Sequence, residues 1–65
     1  MDIETIHESL VNGQRRKMVN QIDEYGIYDF WADYADYLTE RYVDESSRYY
    51  YFKDAVISYH RIKNR

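Results

Sequence analysis

An all-α fold, a compact bundle of three to four short helices, is the class this sequence predicts, and three observations predict it. Apolar residues recur at helical spacing: Ile27, Trp31, Tyr34, Leu38 and Tyr42 are separated by four, three, four and four positions, which places them on one helical face. Proline is absent from the 65 residues, so no helix need be interrupted from within. Aromatics make up 18% of the chain, nine of them tyrosine, and supply large buried areas to a chain otherwise short for a core.

Each element follows in order. Ile3, Ile6 and Leu10, with Val11 beside them, predict a helix over about 3–12. Met18, Val19, Ile22 and Tyr25 predict a second over 14–25. Were residues 3 to 25 one straight helix at ~100° per residue, the two stripes would be rotated apart by roughly a quarter turn. Asn12-Gly13, a good terminator pair, sits at that mismatch, so a break is expected there. Gly26 suits the position that closes the second helix. The third helix is expected over 28–43. The fourth follows the capping residues Asp44-Glu45-Ser46-Ser47 and runs over 47–63. On it Tyr51, Phe52, Ala55, Val56, Tyr59 and Ile62 share a face, and Arg61, Lys63 and Arg65 fall in the final turn, where cations complement the helix dipole. Tyr49 to Phe52 alone could pass for a strand; the later spacing decides for helix.

Short connections favour antiparallel neighbours, so residues 1–65 form a single helical domain. Its predicted core is Ile3, Ile6, Leu10, Met18, Val19, Ile22, Ile27, Trp31, Tyr34, Leu38, Phe52, Val56, Tyr59 and Ile62.

Composition removes several classes of function. The chain has no cysteine, which excludes disulfides and thiolate metal sites. No run approaches the ~20 apolar residues of a membrane span, and Met1-Asp2-Ile3-Glu4 is acidic where a signal peptide is basic, so a cytoplasmic protein is expected. Asp33-x-x-Asp36 has helical spacing but no histidine near it. His7, flanked by Glu4 and Glu8, reads as solvated surface. Ser9, Ser46, Ser47 and Ser58 read as surface or capping residues with no glycine-rich elbow beside them. The two glycines are isolated and make no phosphate loop. A non-enzymatic protein without metal, cofactor or small-molecule substrate is expected.

Charge is divided along the chain. Residues 23–45 carry eight acidic side chains and one basic, a net of −7, whereas residues 46–65 carry five basic and one acidic, a net of +4. Two surface features follow. Asp29, Asp33, Asp36 and Glu40 form an acidic stripe opposite the apolar face of the third helix, with Phe30 and Tyr37 expected at its edge as interface anchors. Its charge is expected to be balanced in part by Arg41 and by the last helix, or else to dock on a basic protein surface. On the fourth helix Tyr50 and Ile57 point away from the predicted core, with Lys53, His60 and Arg61 around them. Either the N-terminal helix covers that side or it is a contact patch. A second copy of the chain could fit both features, each acidic face meeting the other copy's basic helix in an isologous dimer.

Nucleic-acid binding by Arg48, Lys53, Arg61, Lys63 and Arg65, aided by Arg15-Arg16-Lys17, is the alternative. The pI of about 5.2 and the −7 segment stand against it. In a further variant the carboxylate row imitates nucleic-acid phosphates.

The stretch from Asn12 to Gly26, NGQRRKMVNQIDEYG, followed by Tyr28-Asp29-Phe30-Trp31-Ala32-Asp33-Tyr34, resembles short helical accessory proteins of tailed phages, marine cyanophages among them. The resemblance implies an accessory protein that acts in an infected cell by binding a host or phage protein. It carries over no functional residues.

Overall fold

A computed structural model describes residues 1–64 as four helices: α1 (Ile3–Val11), α2 (Arg15–Tyr25), α3 (Ile27–Arg41) and α4 (Glu45–Lys63). There is no strand among them. Arg65 lies outside the described residues. Each start and stop has a local cause. The Asp2 carboxylate accepts from the Thr5 N–H (2.9 Å) and hydroxyl (2.7 Å), capping α1. The expected break falls at Asn12-Gly13, where Gly13 adopts φ +76° and the amides of Asn12, Gly13 and Gln14 close on the carbonyls of Glu8, Leu10 and Ser9. A single residue, Gly26, joins α2 to α3 at φ +107°, a backbone conformation that favours glycine. Asp44 caps α4 two residues earlier than the sequence suggests, accepting from the Ser46 N–H (3.3 Å) and the Ser47 hydroxyl (3.1 Å). The Arg48 guanidinium donates to the Tyr42 and Val43 carbonyls just beyond α3 (2.6 and 2.9 Å) and so fixes the α3–α4 turn.

α1 packs on α2 and α3, α4 packs on the same two helices, and α2 also touches α3. α1 and α4 meet more sparsely, through His7 and Tyr51, whose rings are 5.1 Å apart. The core is Ile6, Leu10, Met18, Val19, Ile22, Phe30, Tyr34, Leu38, Ala55 and Tyr59. Five residues expected at its centre, Ile3, Ile27, Trp31, Phe52 and Ile62, are half-buried and pack against it, while Val56 stands outside it. The inner row of α3 is Phe30-Tyr34-Leu38. Trp31 is turned toward α4, with its ring 5.8 Å from Phe52 and 5.9 Å from Tyr59.

His7 overturns the surface reading its glutamate neighbours suggest: it is 2% exposed. Its Nδ1 lies 2.8 Å from the Tyr34 hydroxyl and its Nε2 2.8 Å from the Tyr42 hydroxyl. In the neutral imidazole one ring N–H donates to one phenol oxygen and the other nitrogen accepts from the second phenol O–H, so both ring nitrogens are satisfied. The rings of Tyr34, Tyr37, Tyr42 and Tyr51 surround it at 5.1 to 5.8 Å between centroids. Burial, helped by the Arg41 charge, holds His7 below the usual histidine range. Burial also pushes the Tyr34 phenol up, so its hydroxyl stays protonated. Ser9 and Ser58 are buried as well, against expectation. The Ser9 hydroxyl donates to Gln21 Oε1 (2.7 Å), joining α1 to α2. The Ser58 hydroxyl donates to Asp54 and accepts from Arg15 Nε, both at 3.1 Å.

Tyr37 contributes its ring to this cluster, but its buried hydroxyl has no hydrogen-bond partner among the described residues. Tyr34→Phe should therefore cost about 1–3 kcal/mol by stranding a His7 nitrogen, whereas Tyr37→Phe should be neutral or stabilising; urea denaturation of the two variants checks the contrast. A pH dependence follows from the same histidine. Its native pKa lies below the ordinary 6.5, so between those values the unfolded chain binds a proton the native chain does not. Stability is then full above about pH 6.5 and declines as the pH falls through it. Asp2 and Asp23, both held below the usual carboxylate range by hydrogen bonds, act only at lower pH. The urea midpoint should drop between about pH 7.5 and pH 5, and His7→Gln, though less stable, should show a flatter dependence.

Candidate interaction face on the third helix

α3 is held from two sides. Tyr37 and Arg41 sit against α1: the Tyr37 ring is 5.2 Å from His7, and the Arg41 guanidinium is 3.7 Å from Glu4. Trp31 and Leu38 face α4. What remains outward is Tyr28, Asp29, Ala32, Asp33, Ala35, Asp36, Thr39 and Glu40, all exposed. Helical geometry sorts these into two edges and the middle between them. Asp29 and Asp33 share a row with Tyr37 and Arg41 on the α1 side, whereas Asp36 and Glu40 share one with Ala32 along the middle of the outer face. Ala35 and Thr39 lie along the α4 side. There Ala35 and Thr39 open a shallow groove of about 240 Å³, floored by Leu38 and Phe52 and rimmed by Arg48 and Tyr49.

The cations do not balance this face. Three ion pairs exist among the described residues: Arg15 with Asp54 (3.1 Å), Arg41 with Glu4 (3.7 Å) and Lys63 with Asp23 (2.8 Å). Each joins two helices, and none involves Asp29, Asp33, Asp36 or Glu40. Arg41, expected to offset the stripe, turns to α1. Lys63, on the last helix, turns to α2, where Asp23 also accepts from the Tyr59 hydroxyl (2.6 Å). Among the described residues Asp33 alone in the row is engaged, accepting from the Tyr25 hydroxyl at 2.5 Å, and that bond raises the Tyr25 phenol above its usual range.

Two of the expected anchors are not on the surface. Phe30 is fully buried, stacked on Tyr34 (4.9 Å between centroids) and edge-on to Tyr25 and Trp31. Tyr37 is half-buried in the His7 cluster. The aromatic that does stand at this face is Tyr28, 86% exposed beside Asp29. On α4, Tyr50 and Ile57 are 62% and 38% exposed, so α1 does not cover them. Lys53, His60 and Arg61 are exposed around them, with the Lys53 ammonium 5.6 Å from the centre of the Tyr49 ring. This patch and the acidic row lie on different helices and do not merge into one site.

A third feature joins cations that the sequence groups only as a nucleic-acid alternative, with Ile57 of the fourth-helix patch in its wall. A broad cleft of about 750 Å³ between the start of α2 and the second half of α4 gathers Arg15, Arg16, Lys17 and Arg61. Those residues are nearly adjacent on one side and more than forty positions away on the other, so only the fold unites them. The Ser58 hydroxyl in the wall is already committed to Asp54 and Arg15. No group of three or more histidine or acidic side chains among the described residues is arranged to hold a metal ion. No described helix is long and apolar enough to cross a membrane. No family model matches the chain, and no curated protein or solved structure was found to match it.

Truncating the two aromatics separates core from face. Phe30→Ala should cost about 3–5 kcal/mol, enough to unfold a domain of this size, whereas Tyr28→Ala should change stability by no more than about 0.5 kcal/mol. Thermal denaturation followed by circular dichroism reads both.

Proposed function

We propose that this chain is a small non-enzymatic protein-interaction module that docks a basic surface of another protein on the outer face of α3. The observation that carries the reading is that no ion pair among the described residues reaches the acidic row, where Tyr25 engages Asp33 alone. Like charges four residues apart cost a helix a few tenths of a kcal/mol, and Asp36 and Glu40 sit toward the end of α3 where the dipole disfavours anions. Neither helix physics nor an internal cation accounts for them. A partner's lysines and arginines would relieve that repulsion. Ala32, Ala35 and Thr39 leave the adjoining strip low enough for close approach, and Tyr28 offers an exposed aromatic contact. The resemblance to phage accessory proteins suggests the setting: the cytoplasm of an infected cell, with a host or phage protein as the partner.

Affinity capture with the folded chain as bait, at about 0.01 M and about 1 M salt, tests this reading. A basic protein retained at low salt and released at high salt is expected, and Asp36→Lys/Glu40→Lys should lose it while keeping the native circular dichroism spectrum. Capture indifferent to salt and to that double substitution would contradict it.

A further inference from the structure

We infer that the occupant of the acidic α3 face is the basic α2–α4 cleft of a second copy of this chain, joined head to tail. The inference rests on the docking role proposed for α3 and names the partner. Both complementary surfaces are present in one molecule. The acidic row runs from Asp29 to Glu40, about 16 Å along the helix at 1.5 Å per residue. The cleft holds four cations against one carboxylate, Asp54. Arg15 is paired with Asp54, which leaves Arg16, Lys17 and Arg61 without an acidic partner among the described residues. The first turn of α2 contains no acidic residue, and Gln14 makes no side-chain cap, so the positive end of the helix dipole adds to the same potential.

Placement decides the geometry of association. α4 stands between the two surfaces: Arg48, Tyr49 and Phe52 on one flank meet α3, and Ile57, Ser58 and Arg61 on the other line the cleft. The acidic row is on the outer face of α3, and the cleft lies between α2 and α4. The two surfaces therefore lie on opposite flanks of α4. A two-fold dimer needs both on the same side of the molecule. Surfaces on opposite sides make a heterologous contact, which repeats from copy to copy until it closes or runs on. The outcome is a short, salt-sensitive chain of molecules rather than a dimer.

Sedimentation velocity on the full chain reads this directly. At about 0.01 M salt the weight-average mass should rise at least about twofold with concentration and keep rising, and at about 1 M salt it should return to the 8.1 kDa monomer. Two variants sharpen the test. Asp36→Lys/Glu40→Lys removes the acidic face and keeps the cleft; Arg16→Glu/Lys17→Glu does the reverse. Each alone should be monomeric, and their mixture should form a one-to-one pair that cannot grow. Growth that stops at a dimer in the wild-type chain, or a mixture of folded variants that stays monomeric, overturns the inference. So does a wild-type chain that is monomeric at low salt, whether or not a short single-stranded oligonucleotide then fills the cleft. If a basic partner is still captured through α3 in that last case, the docking role stands and only the identity of the occupant falls.

Discussion

The rest of the structure depends on His7 held between two tyrosine hydroxyls. α1 is only nine residues long and could not persist alone in water. One imidazole ties it to Tyr34 near the middle of α3 and to Tyr42 just past its end. Both nitrogens are satisfied only while the ring is neutral and both phenols are present. Burying that much polarity is tolerable because every bond in the triad is made, and the ring edges around it replace water with close packing. The orientation of α3 follows. Once Tyr34, Tyr37 and Tyr42 are committed to the α1 side, and Trp31 and Leu38 to α4, the carboxylates have nowhere to point but outward.

Charge is then arranged around that frame. Three cations are drawn inward to helix-joining pairs, at Glu4, Asp23 and Asp54. Pairs this exposed add little stability one by one. Their consequence is positional: they use Arg41 and Lys63, the cations expected to offset the acidic row, and leave a negative α3 face and a positive α2–α4 cleft on opposite flanks of α4.

Much of the helical plan was legible in the sequence, because apolar spacing and capping residues act locally. The break at Asn12-Gly13, the four helices and most core positions follow from those rules. The inner face of α3 was harder to read. α3 is buried against α1, α2 and α4 together, so its apolar residues cover more than one stripe, and Phe30 falls within the buried arc although its neighbours are acidic. His7 carried a usable signal: with Ile3 and Leu10 it has the spacing four and three, which places it on the apolar side of α1. Glu8, one residue on, is turned about 100° away, whereas Glu4, three residues back, lies at the edge of the same face and pairs with Arg41. The cations of the cleft were grouped in the sequence by charge alone, without a signal for the walls between which they meet. Arg15 meets Ser58 and Asp54 only through the tertiary fold.

The state of the His7 ring is the most direct test. Nitrogen-15 NMR of the two histidine side chains distinguishes a neutral ring with one fixed N–H from a ring that exchanges tautomers or carries charge. His7 should remain neutral, in one tautomer, as the pH is lowered through 6.5, with its ring shifts sensitive to Tyr34→Phe and Tyr42→Phe. A His7 that titrates at or above 6.5, or that averages between tautomers in the folded chain, would contradict the buried triad and the orientation of α3 that follows from it.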